Sequence, residues 1–180
     1  MFDFLVKMYQ KQNSILNHKR VLKSMQTVQL SKLGQGSYIL ILHLKRTKII
    51  SIGKLGKLRF PQGYYTYVGS ALGPGGLASR LKHHLHSTAT PHWHIDYLRP
   101  RARLVEIWIS EFEERLEHLW ATMSTHLNET TRRFKGFGCS DCKCPSHLFY
   151  FQGQPSFQRF KKLVDSRSGK NGQLRRIVLA

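Results

Sequence analysis

An α/β (α+β) fold, a small mixed and partly antiparallel sheet flanked by helices, is what this 180-residue sequence predicts. Three observations predict it. GSYILILHL, residues 36–44, is a near-continuous apolar run that suits a central strand. Further short β-forming runs follow it, separated by polar or glycine-containing turns. Between and after them, leucines recur at the spacing of helices that bury one face.

Taken in order, residues 1–30 form a basic, amphipathic extension with Phe4, Leu5, Met8, Ile15 and Leu16 at roughly helical spacing. The domain proper runs over 31–165. After the first strand, TKIISIG (47–53) follows a short polar turn and reads as a hairpin partner. KLRF (57–60) and GYYTYVG (63–69) bracket Pro61 and Gln62, and the second puts Tyr65, Tyr67 and Gly69 on one face. Gly73, Gly75 and Gly76 open a helix whose Leu77, Leu81 and Leu85 are four apart. Thr90-Pro91 then offers a cap and a first-turn proline for a helix over PHWHIDYL. RLVEIWIS (103–110) reads as a strand, and Ser110 with Glu113 has the spacing of a capping box for a helix over 111–127. Leu116, Leu119, Trp120, Met123 and Leu127 would face inward on it. HLFYF (147–151) is the last strand, FQRFKKLV (157–164) a closing helix, and 166–180 a basic tail.

Hydrophobic residues make up 41% of the chain, as in folded domains. The charge is unusual: 29 Lys and Arg against 10 Asp and Glu give +19, with ten histidines besides. Such a surface attracts polyanions, so a nucleic acid is the expected partner, DNA ahead of RNA, with an anionic membrane surface as competitor. No stretch approaches the roughly 20 apolar residues of a membrane span, so no membrane insertion is expected. Asp3 and Lys7 interrupt the N-terminus before a signal-type apolar core can form. The expectation is a soluble cytoplasmic protein, and nothing in the sequence calls for an oligomer. Three cysteines within six residues do not make a secreted disulfide framework.

Five positions invite chemistry. Tyr38 stands early in the first strand and Tyr67 late in a later one; either alone is an ordinary strand residue. Arg80 and His84, four apart, flank the leucine face of their helix and can reach over the sheet edge, whereas Lys82 and His83 point away. Glu117 lies a quarter-turn from the centre of its helix's buried stripe, neither core nor clearly solvated. A carboxylate there can hold a divalent cation against phosphate, or simply pair with a neighbouring base.

Gly36-Ser37-Tyr38 on one strand, Tyr67-Val68-Gly69 on another, Arg80 on the next helix and a downstream glutamate resemble the GIY-YIG nuclease pattern. The blocks YYTYVGSALGPGGLASRLKHHL, HWHIDYL and SDCKCPSHLFYF further resemble a family of small GIY-YIG-like proteins of undetermined function, sometimes fused to a DNA-repair glycosylase. The resemblance covers about residues 34–152. It implies a compact fold with a one-metal site and a metal-dependent endonuclease that hydrolyses phosphodiester bonds in DNA, in repair or recombination. Tyr38 would be general base or orient the water, Tyr67 would assist, Arg80 would bind the scissile phosphate with His84 in support, and Glu117 would hold Mg²⁺ or Mn²⁺. A tyrosine with its ordinary pKa near ~10 is a poor base, so Arg80 and a metal are expected to lower it. The alternative is a nuclease-like fold that binds nucleic acid without cutting. Two departures stand out: nearly thirty residues and an extra hairpin separate the tyrosines, and Ser37 replaces the pattern's isoleucine. Glu113 and Glu114 compete with Glu117 as metal ligand.

Cys139, Cys142, Cys144 and His147 carry the ligand types of a Cys₃His zinc site. The single-residue gap between Cys142 and Cys144 is awkward for one tetrahedral centre. A loop packed near the sheet edge is the favoured reading, with Asp141, Ser146 and His147 as contributors to the site. His92, His94 and Asp96 do not converge on a helix, since 92 and 96 share a face and 94 does not. Lys82, His83, His92 and His94 are instead candidate nucleic-acid contacts, and Trp93 and Tyr97 core.

Overall fold

The computed structural model describes residues 30–86, 90–127, 132–168 and 174–179. The expected N-terminal extension, Leu30 excepted, lies outside them. The elements are β1 (Gly36–Leu44), β2 (Lys48–Ser51), β3 (Lys57–Phe60), β4 (Gly63–Ala71), α1 (Gly76–Leu85), α2 (His94–Leu98), β5 (Arg103–Ser110), α3 (Glu117–Ser124), β6 (Arg132–Arg133), β7 (Leu148–Phe151), α4 (Phe157–Ser168) and β8 (Arg175–Val178).

Six strands form one sheet in the order β6-β7-β4-β1-β5-β8, and every pairing in it is antiparallel. β1 lies in the middle because its run is apolar on both faces. Tyr38, Leu40, Leu42 and Leu44 enter one core with Tyr65, Tyr67, Leu77, Leu81 and Ile95, under α1 and α2. Ile39 and Ile41 enter the other with Trp108, Trp120, Met123 and Phe160, under α3 and α4. The result is three layers, with helices on both faces of the sheet. β2, expected as the hairpin partner of β1, pairs instead with β3, because β4 and β5 take both edges of β1; the β2–β3 hairpin buries Ile50 and Phe60 against the first core. Among the described residues, no helix is long and apolar enough to cross a membrane.

Three further expectations need correction. The helix expected over 111–127 begins only at Glu117, because Ser110 stays in β5 opposite Ser37 and Glu111 accepts the Gly34 N–H at 2.9 Å. The Leu116 N–H, just ahead of α3, bonds the Ser37 hydroxyl at 3.2 Å instead of a local cap. α2 begins at His94 rather than Pro91, its entry set by Asp96, whose Oδ2 accepts the N–H groups of His92 and Trp93 at 2.9 Å each. The expected basic tail carries the end of α4 and an edge strand: β8 pairs with β5, and Arg176 crosses to the buried Glu106.

Candidate functional site

The site lies where the start of β1 and the end of β4 run side by side, with α1 above and the first turn of α3 at the edge. Tyr38 faces Gly69 in the register. Its ring lies across that glycine so closely that a Cβ there would stand 2.4 Å from the Tyr38 hydroxyl and 2.5 Å from its Cζ. Gly36 is equally constrained, since a Cβ would meet the Ser110 carbonyl oxygen at 2.0 Å. Both glycines permit close approach: one of a ring, the other of a strand.

The Tyr38 hydroxyl is 2.9 Å from His84 Nε2, inside the protein. Both side chains are almost fully buried, at 2% and 1% exposed. His84 was expected on a flank of α1; the structure turns it inward, behind the tyrosine. Burial, aided by His83, lowers the His84 pKa to about 3, so its imidazole is neutral. Its Nδ1 has no hydrogen-bond partner among the described residues.

Burial also pushes the Tyr38 hydroxyl well above its ordinary range, with Tyr67 and Glu117 adding to the rise. Tyr67 is raised in the same way, by burial first and Glu117 second. Arg80 pulls both down but does not prevail. Burial therefore raises both tyrosines, and Arg80 alone does not produce the lowering expected from it together with a metal. Both hydroxyls are neutral.

Arg80 is half-buried, its guanidinium carbon 4.0 Å from the centroid of Trp93. That stacking holds the cation in place and leaves its N–H groups without an ion pair among the described residues. Glu117, the first residue of α3, accepts the Ser70 hydroxyl at Oε2 (2.9 Å) and has His147 Nδ1 3.0 Å from Oε1. The His147 contact lacks the alignment of a regular hydrogen bond. Burial works against the Glu117 charge, but His147 and Ser70 outweigh it and hold its pKa below the usual value. Glu113 and Glu114 are exposed. Tyr38, Tyr67, Arg80, His84 and Glu117 thus form one electrostatic unit. A single ionised carboxylate with free lone pairs is what Mg²⁺ or Mn²⁺ takes from a protein when phosphate and water supply the rest, so the donor set fits such an ion.

The chain belongs to the DUF123 family. That family, a domain of unknown function, matches residues 37–168, which include every side chain of this unit. No curated protein and no solved structure gives a significant match.

The other named positions of this DUF123 domain divide in two. Lys82 and His92 are exposed. His83 and His94 are committed inward: His83 Nε2 meets Asp96 Oδ1 at 2.9 Å, and His94 Nδ1 accepts the Gly138 N–H at 3.0 Å. Burial raises Asp96, but the Trp93 and His92 N–H groups and His83 hold it below its usual pKa.

The cysteine loop is arranged differently from its sequence reading. Cys139 Sγ donates to the Phe137 carbonyl at 3.4 Å, and burial with its Cys142 neighbour pushes its pKa up to about 12. The group that converges is His118, Cys142, Cys144 and His147. His118 comes from α3 and carries no local motif, so spacing within the loop could not reveal it. Ser70 was missed for a similar reason: a serine beside a glycine in a strand signals nothing until α3 is docked. A groove of about 290 Å³ lined by Leu30, Leu33, Ile109, Phe157 and Leu174 lies beside β8 and contains none of these groups.

Proposed function

We infer that this protein is a metal-dependent endonuclease of GIY-YIG type, acting on phosphodiester bonds in DNA. The observation that carries this reading is the gathering of Tyr38, Tyr67, Arg80 and Glu117 on one end of the sheet, from four separate elements, in a chain of charge +19.

Arg80, stacked on Trp93 and without an ion pair among the described residues, binds the scissile phosphate and offsets the charge that grows on it. His84, neutral, accepts the Tyr38 O–H and so turns the tyrosine's lone pairs toward an attacking water. Tyr38, its own proton held in the bond to His84, orients and polarises the water through its lone pairs. Tyr67 supplies a second neutral hydroxyl. Glu117 would hold the divalent ion, with Ser70 and His147 against its two carboxylate oxygens. When bound, that ion supplies Lewis-acid polarisation of the phosphate.

The binding module without catalysis has one observation on its side: both tyrosines are buried and strongly neutral. Plasmid and branched-DNA cleavage with Mg²⁺, Mn²⁺ or chelator, beside Glu117→Gln, separates the two. Nicking that needs the ion and falls at least about 100-fold in the variant supports the nuclease. Salt-sensitive binding with no cutting by the unaltered protein overturns it in favour of the module.

A further inference from the structure

We propose that His118, Cys142, Cys144 and His147 bind a structural zinc ion that pins the loop between β6 and β7 and orients Glu117 through His147. The inference does not rest on the nuclease reading; a chain that cuts nothing would bind zinc in the same way.

The four ligating atoms all lie within 4.8 Å of one another. Cys142 Sγ is 3.5 Å from His147 Nε2, and Cys144 Sγ is 3.0 Å from His118 Nδ1. In a tetrahedron with Zn–S near 2.3 Å and Zn–N near 2.0–2.1 Å, the S···N edge is about 3.5 Å. The first distance equals that edge and the second needs to open by about half an ångström.

The loop's conformation removes the difficulty of the C-x-C gap. Exposure alternates over 141–145, with Cys142 and Cys144 both half-buried and their neighbours exposed, so the two thiols share one side. The other two ligands come from outside that tripeptide: His147 at the head of β7 and His118 in the first turn of α3. The loop is already closed by main-chain bonds from Gly136 N–H to the Pro145 carbonyl (2.9 Å) and His147 N–H to the Phe137 carbonyl (2.8 Å). Cys139 is left out, its thiol turned to the Phe137 carbonyl.

A second observation points the same way. His147 is 1% exposed, and its Nδ1 is buried beside Glu117 without a well-formed bond. A metal on Nε2 obliges the proton to sit on Nδ1, where it can be donated to the Glu117 carboxylate. That is the histidine–carboxylate support commonly built behind zinc ligands. Thiol-to-imidazole hydrogen bonds alone would need two weak S–H donors to hold two rings in place.

The test is titration of chelator-stripped, reduced full-length protein with Co²⁺, followed by displacement with Zn²⁺. Expected are thiolate-to-cobalt charge-transfer and tetrahedral d–d bands that saturate at about one ion per chain. Cys142→Ser, Cys144→Ser and His118→Ala lose them, Cys139→Ser keeps them, and Glu117→Gln weakens zinc by about 10–100-fold without changing the band shape. The unaltered protein decides the matter even where a variant fails to fold. Absence of a saturable tetrahedral spectrum in it overturns the site. Loss of the bands in Cys139→Ser with their retention in His118→Ala overturns the ligand set.

Discussion

Gly69→Ala tests how tightly the Tyr38–His84 pair is held. The added methyl would stand 2.4 Å from the tyrosine hydroxyl, 2.5 Å from Cζ and 2.9 Å from Cε1. The ring cannot swing clear, because it is 2% exposed and its hydroxyl is tied to a histidine that is 1% exposed. Overpacking of this kind costs about 1–3 kcal/mol. Breaking the buried hydrogen bond adds roughly 1 kcal/mol more. With a sum near about 3 kcal/mol, Tm should fall by about 6–12 °C for a chain of this size.

The assay is thermal unfolding followed by circular dichroism, run as a double-mutant cycle with Tyr38→Phe. Removing the hydroxyl deletes the 2.4 Å contact and the hydrogen bond but keeps the ring carbons at 2.5 and 2.9 Å, so the two substitutions should cost less together than the sum of their single effects by about the hydrogen bond they share. A change in Tm under about 1 °C for Gly69→Ala would show that the ring has room to move. Strict additivity would show that the hydroxyl is not the point of contact.

Other consequences follow from the same geometry. His84 has a folded pKa near 3 against 6.5 unfolded, so the unfolded chain binds the extra proton between those values. Its stabilisation is fully present above pH 6.5 and is lost as pH falls toward 3, by up to about 1.4 kcal/mol per pH unit. Urea unfolding at pH 7.5, 6.5 and 5.5 should show this decline, and His84→Gln should flatten it; a flat profile in the unaltered protein refutes the burial argument. Arg80→Ala should cost no more than about 1 kcal/mol of stability, since among the described residues it stacks on Trp93 without an ion pair. On the nuclease reading it should lower cleavage by about 100–1,000-fold, and cleavage within about threefold of normal would remove Arg80 from the phosphate.

Elements whose apolar pattern is complete within themselves were legible in the sequence. β1, β3 and β5 have the bounds their residues suggest, because continuous or alternating apolar runs have one low-energy arrangement against a sheet. The start of α3 was not legible. Ser110 and Glu113 carry a good local cap signal, but the β1–β5 ladder holds Ser110, and Gly34 and Arg175 claim Glu111. β8 was hidden because RRIV has no clear apolar face; its anchor is the contact of Arg176 with Glu106, 70 residues away. The candidate site divides likewise. Tyr38, Tyr67 and Arg80 stand beside recognisable glycines and leucines. Ser70, His118 and the inward turn of His84 depend on helix docking, which no local pattern encodes. Ser37, the departure from the pattern's isoleucine, has a structural reason in its bond to Leu116.

Glu117 bears most directly on what the protein does. On the nuclease reading Glu117 lies beside the phosphate, and a chain of charge +19 that only held nucleic acid would gain nothing from an ionised carboxylate there. Yet Ser70 and His147 both act to keep that charge in place. A carboxylate charge one water layer away from a phosphate at a part-exposed site would cost on the order of 1 kcal/mol. Glu117→Gln should therefore tighten DNA binding in chelator by about fivefold, as measured by fluorescence anisotropy at fixed salt. In Mg²⁺ the same variant should bind no better than the unaltered protein and should not cut. Tighter binding without metal, joined to lost cleavage with it, identifies a carboxylate retained for an ion. Unchanged binding in chelator would place Glu117 away from the phosphate and remove the reason to assign it the metal.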